Sequence, residues 1–244
     1  MERAEFLRKA SLFSSLSRRE LACVAEQFYE KRFTKDEYIF FEGDPAEVLY
    51  VVQAGRVKMI KHSEGGQDVI LRVVAPGEML GGVAAFGEET YPATAQAQEA
   101  VSVLAMSGET FMALVRRYPA LALAVIQLLK ERVKEAHEVI RQLAVERVER
   151  RIAHTLIRLA DKVGVAGEEG IVIDMPLPRQ DLADMAGTSL ETVSRVLSKW
   201  QRQGLVKAGR ERVIITHAHG LVAIAEDLPP GAERPPSREA HVSE

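Results

Sequence analysis

The arrangement of apolar and polar positions changes character twice along the chain. From Phe33 to about Met106 the apolar residues come in short runs rich in Val, Ile, Tyr and Phe, such as YIFFEG, VLYVVQAG, RVKMIKH and VILRVVAPG. Gly43, Gly55, the Gly65-Gly66 pair, Gly77 and Gly87 punctuate them at intervals of about ten to twelve residues, the turn spacing of a β-sandwich or barrel. Ahead of these runs, Ser17 and Glu20 have capping-box spacing, and Leu21, Val24, Ala25 and Phe28 form one stripe of a helix. Within that helix Leu21-Ala22-Cys23-Val24 reads as a buried face, which would leave the Cys23 thiol inert.

After Ser107 the period becomes helical. Ile126, Leu129, Val133, Ala136, Ile140 and Leu143 alternate steps of three and four, a heptad seam flanked by Lys130, Glu131, Lys134, Glu135 and Glu138. So narrow an apolar edge suits a self-paired parallel helix better than packing on the β region, where a helix normally presents a broader face. The seam ends at Arg147. A second amphipathic helix follows in RRIAHTLIRLADKVG, with Ile152, Leu156 and Leu159 on one side, and then what reads as a short polar loop, VAGEEG.

Two short helices are predicted next, Arg179 to Ala186 and Leu190 to Gln203. Pro178 sits where a first turn tolerates proline, Gly187 permits a sharp bend, and Thr188 to Glu191 has capping-box spacing. This is the helix-turn-helix pattern, with Leu182, Ala183, Ala186, Val193, Val196, Leu197 and Trp200 as its apolar interior. The opposite side of the second helix carries Glu191, Thr192, Ser194, Arg195 and Lys199. Arginine donates twice to guanine O6 and N7, glutamate accepts from cytosine N4, and serine or threonine suits either kind of edge. Arg179 and Ser189, near helix starts, are placed for phosphate contacts. The stretch ending in VIITH, with Gly209 and Arg210 at a turn, reads as a β-hairpin wing.

Composition refines this picture. The net charge of −3 argues against a nucleic-acid binder until its distribution is considered. Between Met175 and His217, Arg179, Arg195, Lys199, Arg202, Lys207, Arg210 and Arg212 outnumber Asp181, Asp184, Glu191 and Glu211. A single cysteine excludes a disulfide framework and an iron–sulfur cluster held by four thiolates of this chain, and it fits a reducing cytoplasm. No apolar run approaches the roughly 20 residues that span a bilayer, so no membrane partner is expected. The Pro-rich segment 227–244 lacks the apolar residues that would offset its ordering entropy and is expected to be a disordered tail.

The stretch RQDLADMAGTSLETVSRVLSKWQRQGLV resembles the helix-turn-helix of the CRP/FNR superfamily of bacterial transcription regulators. VLYVVQAGRVKMIK and VAPGEMLG resemble their cyclic-nucleotide-binding-type β-roll. The resemblance runs in order from Phe13 to Ala225. It implies an α+β chain: an N-terminal β-roll (jelly roll) sensor at 1–118, a dimerisation helix at 119–146 and a winged helix-turn-helix at 147–226. It further implies a homodimer that reads double-stranded DNA and contacts RNA polymerase through surface loops, with VAGEEG a candidate. Glu191, Ser194 and Arg195 match the FNR branch, which reads TTGAT-like half-sites; the cAMP-receptor branch carries arginine at the position of Leu190 and glycine at that of Ser194. The expected function is therefore a dimeric regulator, an activator, of TTGA-like palindromes, and not an enzyme, since no Walker loop, Rossmann fingerprint or nucleophile elbow occurs.

In cAMP-binding relatives the segment here reading GGVAAFGEETYPATAQAQ supplies a Gly-Glu pair to the ribose and an Arg-Ser pair to the phosphate. The matching positions are Gly81-Gly82 and Ala93-Thr94, so the acidic and cationic partners are both missing and cyclic AMP is not expected. Arg72 is a weak substitute. TYPATAQA resembles the nitric-oxide-responsive branch, thought to use haem, for which His137 beside the seam is the candidate axial ligand; His62 reads as exposed and His154 as packing. His217 and His219 are spaced to share one face of a strand, too few ligands for a stable metal site. The effector is left open between haem and none. The alternative reading is a cyclic-nucleotide signalling module whose C-terminal domain binds protein.

Overall fold

The computed structural model describes residues 2–63, 68–82 and 89–228. From residue 229 the expected disordered tail lies outside the described residues, as do Gly65, Gly66, Gly87 and part of the sensor stretch. The chain begins with α1 (Glu2–Lys9), a 3-10 turn (Ser11–Phe13) and α2 (Arg18–Ala25). The expected capping box is present: Glu20 N–H donates to Ser17 Oγ, and Ser17 N–H to Glu20 Oε2. Leu21, Val24, Ala25 and Phe28 are buried, but Cys23 is exposed, which corrects its reading as a core thiol. At about 100° per residue Cys23 lies some 200° from Leu21 and so faces solvent.

Among the described residues eight strands follow: β1 (Tyr29–Phe33), β2 (Tyr38–Phe40), β3 (Val48–Ala54), β4 (Val57–His62), β5 (Asp68–Val74), β6 (Met79–Leu80), β7 (Thr94–Ala97) and β8 (Val101–Ser107). They form two antiparallel sheets ordered β1-β8-β3-β6 and β2-β7-β4-β5, the β-roll. Strand alternation builds two cores from one sheet. Tyr50 and Val52 of β3 point into the roll with Phe40, Tyr91 and Val103, while Leu49 and Val51 face the helices with Phe13, Phe28 and Phe111. Gly43, Gly55 and Gly77 have positive φ, as turn glycines should.

Helix α3 (Gly108–Arg117) is capped by Ser107, and α4 (Pro119–Val145) opens on a proline. Leu121 and Val125 bury the first turns of α4 against the roll's helices. Beyond them α4 turns its apolar edge to solvent, and the corner at Glu146 and Arg147 is extended. Then come α5 (Val148–Val163), β9 (Gly164–Gly167), β10 (Gly170–Ile173), α6 (Arg179–Ala186), α7 (Leu190–Arg202), β11 (Val206–Ala208), β12 (Val213–Ile215) and α8 (Ala218–Ala225).

Two expectations change here. VAGEEG is not wholly a loop: residues 165–167 belong to β9, Glu168 and Glu169 form a turn, and Gly170 opens β10; β9 pairs antiparallel with β10, which pairs with β12, so the wing belongs to a four-stranded sheet β11-β12-β10-β9. Glycine and alanine favour strands poorly, and the exposed β9 is held by its ladder to β10 rather than by local preference. His217 and His219 do not share a strand face. His217 caps α8, its Nδ1 accepting from Gly220 N–H, and His219 lies in the first turn of that helix.

The C-terminal part packs on the roll of its own chain. Val73 and Ala75 join the core formed by Ile152, Leu156, Leu182, Leu197 and Trp200. Lys58 of β4 donates to both carboxylate oxygens of Asp181 on α6 (3.3 and 3.2 Å), where Gln98 Nε2 also donates to Oδ2 at 3.3 Å. Lys162 of α5 donates to the Val73 carbonyl, and Arg56 pairs with Asp174.

Candidate nucleic-acid interface

The turn between α6 and α7 is fixed by backbone demands. Gly187 has φ 61°, the left-handed region where glycine carries no steric cost, and Thr188 N–H returns to the Ala183 carbonyl. That bond places Thr188 inside the turn, so the cap of α7 is Ser189, whose Oγ accepts from Thr192 N–H at 3.3 Å, and not Thr188 as its spacing with Glu191 suggested. Val193, Val196, Leu197 and Trp200 bury one side of α7.

On the other side Glu191 and Arg195 are exposed, with Thr192 and Ser194 half-buried. Arg195 and Arg179 make no hydrogen bond or ion pair among the described residues, so their guanidinium forks are uncommitted. The Glu191 carboxyl is held below the usual carboxylate range, first by its own backbone N–H and then by Ser189. It therefore stays ionised and acceptor-only. Two candidates are partly committed elsewhere. Ser189 donates its hydroxyl to Thr192 Oγ1, and Lys199 reaches Glu149 of α5 at 2.8 Å, where Trp200 Nε1 also donates at 3.0 Å. Ser198 and Arg202 continue this exposed row at the spacing 191, 195, 198, 202, and each also donates to a carbonyl of its own helix, Ser198 Oγ to Ser194 O and Arg202 Nε to Ser198 O.

The sensor candidates stand differently. Gly81 has φ +68°, and a Cβ there would lie 2.8 Å from the Val48 carbonyl oxygen, so backbone geometry requires glycine. Ala93 and Thr94 are buried, and Thr94 Oγ1 accepts from Glu42 N–H at 3.0 Å. Arg72 donates to the Met79 carbonyl. Tyr91 Oη donates to Val48 O (2.6 Å) and accepts from Val48 N–H, while its ring stacks on Phe40 at 3.8 Å. Burial pushes the Tyr50 and Tyr91 phenols up, which keeps them neutral.

No histidine or cysteine belongs to the described core of the roll. Phe40, Tyr50 and Tyr91 fill the described interior, and His137, the candidate ligand, is exposed on α4. His62 bonds to Asp68, and His154 lies 3.4 Å from the buried Glu146. Among the described residues no three His, Cys, Asp or Glu side chains converge to hold a metal.

Along α4, Ile126, Leu129, Val133, Ile140 and Leu143 are 51–63% exposed, and Ala136 is exposed between them. Leu123 and Val145 extend the same apolar exposure. Among the described residues no single helix is long and apolar enough to cross a membrane.

Two family models match the chain: a cyclic nucleotide-binding domain over residues 30–118 and a Crp-like helix-turn-helix domain over 150–224. The Cyclic AMP receptor protein of Thermus thermophilus is 32% identical over 222 residues, 91% of this chain and 100% of that one. The transcriptional activator protein anr of Pseudomonas aeruginosa is 28% identical over 191 residues, 78% of each chain. The solved structure of FixK2 from Bradyrhizobium japonicum, 25% identical, matches with a TM-score of 0.73 over 81% of this chain and 96% of that one. The roll, the long helix and the helix-turn-helix thus recur together and in this order, and the chain belongs to the CRP/FNR family of DNA-binding transcription regulators.

Proposed function

We propose that this regulator is a homodimer, paired through α4, that activates transcription by reading a palindrome of TTGA-like half-sites. The observation that carries the reading is the apolar edge of α4: Ile126, Leu129, Val133, Ile140 and Leu143 lie on one seam with about half or more of each exposed. Such a stripe on a folded chain calls for a partner. A second copy presents the same stripe in the same register. In the dimer the two α7 helices would carry Glu191, Ser194 and Arg195 to successive major grooves, with Arg179, Ser189 and Thr192 near the backbone and Lys199 at the edge. Residues 1–118 would form the sensor, 119–146 the pairing helix and 147–226 the reader.

The relative from Thermus thermophilus is named for cyclic AMP. For this chain we propose a roll that is not tuned to a cyclic nucleotide. A cyclic phosphate at Ala93 and Thr94 would meet a methyl group and a hydroxyl already accepting from Glu42 N–H, and the neighbouring Lys61 ammonium is already held by the Glu42 carboxylate and the Pro92 carbonyl.

Ile140→Asp tests the pairing. Fully burying an isoleucine is worth roughly 1.5–3 kcal/mol, and two-fold symmetry removes it twice. The variant should weaken the dimer by about a hundredfold or more and sediment as a monomer at micromolar concentration, with palindrome affinity falling in parallel. A variant that remains dimeric at the wild-type concentration range contradicts the α4 interface.

A further inference from the structure

We propose that Arg151 is a positioning residue that sets the angle between the long helix α4 and the reading helix α7. It lies in the first turn of α5, just past the extended corner, and its guanidinium is used on three backbone carbonyls, one at the corner and two at the helix-turn-helix turn. Nη1 donates to Glu146 O at 3.1 Å, the first residue of the corner. Nε donates to Ala186 O at 3.0 Å, the end of α6, and Nη2 to Gly187 O at 2.9 Å, inside the helix-turn-helix turn. Carbonyls at a helix C-terminus lack intrahelical partners and carry the negative end of the helix dipole, so a cation there satisfies both.

The long helix reaches the same turn by a second route. Leu143, the last residue of the seam, has its Cδ2 3.0 Å from where a Cβ on Gly187 would stand. The other side of the corner is held by the fully buried Glu146 carboxylate, which accepts from Arg141 at 2.9 Å and faces Arg150 and His154 at 3.9 and 3.4 Å. The chain enters α7 at Leu190, three residues after Gly187. Any change in the Arg151 contacts is therefore delivered to the first two turns of α7, where Glu191, Ser194 and Arg195 sit.

The role is one of orientation and not of folding. Ile152, Leu156 and Leu159 carry the burial of α5, and among the described residues Arg151 forms no ion pair with a carboxylate. A lysine keeps the charge but has one compact head, which cannot reach three carbonyls in a planar fork. The inference rests on the dimeric, palindrome-reading function proposed above.

The test compares full-length wild type with Arg151→Lys and Arg151→Gln on a TTGA palindrome, on the same half-sites with a base pair added or removed between them, and on a single half-site. Backbone amide exchange is followed in parallel. Losing one or two charge-assisted bonds should reduce the preference for native spacing by about ten- to a hundredfold and accelerate exchange in 184–190 by a similar factor. Single half-site affinity should stay within about twofold, because the base-reading side chains are intact. Wild-type spacing preference and exchange in Arg151→Lys would overturn the assignment, as would equal losses on the single half-site and the palindrome. If the wild type itself shows no spacing preference, the dimeric reading fails and the exchange of 184–190 alone decides whether Arg151 holds the turn.

Discussion

Asp181 offers the sharpest energetic test, because it joins the two halves of the chain by a nearly buried charge pair. Its side chain is 11% exposed and that of Lys58 is 14%, with Nζ within 3.3 Å of both carboxylate oxygens. Asp181→Ala removes the acceptor and leaves an ammonium in a site with little water. Stranding one member of a buried pair costs about 3–5 kcal/mol, and the residual exposure puts this case near 3 kcal/mol. Replacing both residues, as in Lys58→Met with Asp181→Leu, removes the stranded charge and should recover most of that loss, a coupling of roughly 2 kcal/mol. Trp200 is the single tryptophan, fully buried in the reader, so its fluorescence in urea follows unfolding of that half. Because the pair ties β4 to α6, the single variant should also separate the reader's transition from that of the roll. A loss below about 0.5 kcal/mol, or costs that simply add in the double variant, would refute the view that this contact holds the halves together.

Asp184, beside this pair, has its carboxyl pushed up, chiefly by burial and further by the Asp181 charge, with Gln180 opposing. A raised folded-state value favours folding when protonated, a contribution present below the unfolded value and lost as pH rises through the folded one. Asp184→Asn should therefore be more stable than wild type near neutrality, the difference vanishing below about pH 3.9; a destabilised variant at neutral pH contradicts this. Cyclic AMP at millimolar concentration should leave the melting temperature and the palindrome affinity unchanged, and a saturable upward shift would contradict the reading of Ala93 and Thr94. Anaerobic reconstitution with haem should give no stoichiometric Soret band, and a band lost in His137→Ala would reverse that expectation.

Much of the architecture was legible because it is periodic. The seam from Ile126 to Leu143 repeats strictly in threes and fours, and α6 and α7 end within a residue of their expected limits because Gly187 and the apolar spacing bracket them. Single positions were less legible where two signals compete. Thr188 and Ser189 both suit a cap, and only the bond from Thr188 N–H to Ala183 O decides between them. VAGEEG carries no strand signal, since β9 exists through its pairing with β10. Cys23 follows an apolar neighbour but sits on the wrong side of its helix. Contacts between distant segments left no trace in the sequence. Lys58 and Asp181 are 123 residues apart, and the partners of Arg151 are backbone carbonyls, which any residue could supply.

In the proposed dimer the uncommitted Arg195 guanidinium on α7 would read a guanine in each half-site of a palindrome. Arg195→Ala, measured by gel shift against a TTGA palindrome and a scrambled duplex at several salt concentrations, tests it most directly. A bidentate arginine–guanine pair is worth about 1–3 kcal/mol of discrimination, and a dimer loses two of them, so the preference should fall by roughly thirtyfold or more. Salt-sensitive binding to the scrambled duplex should survive, because phosphate contacts remain. Unchanged preference for the palindrome in Arg195→Ala would contradict the account.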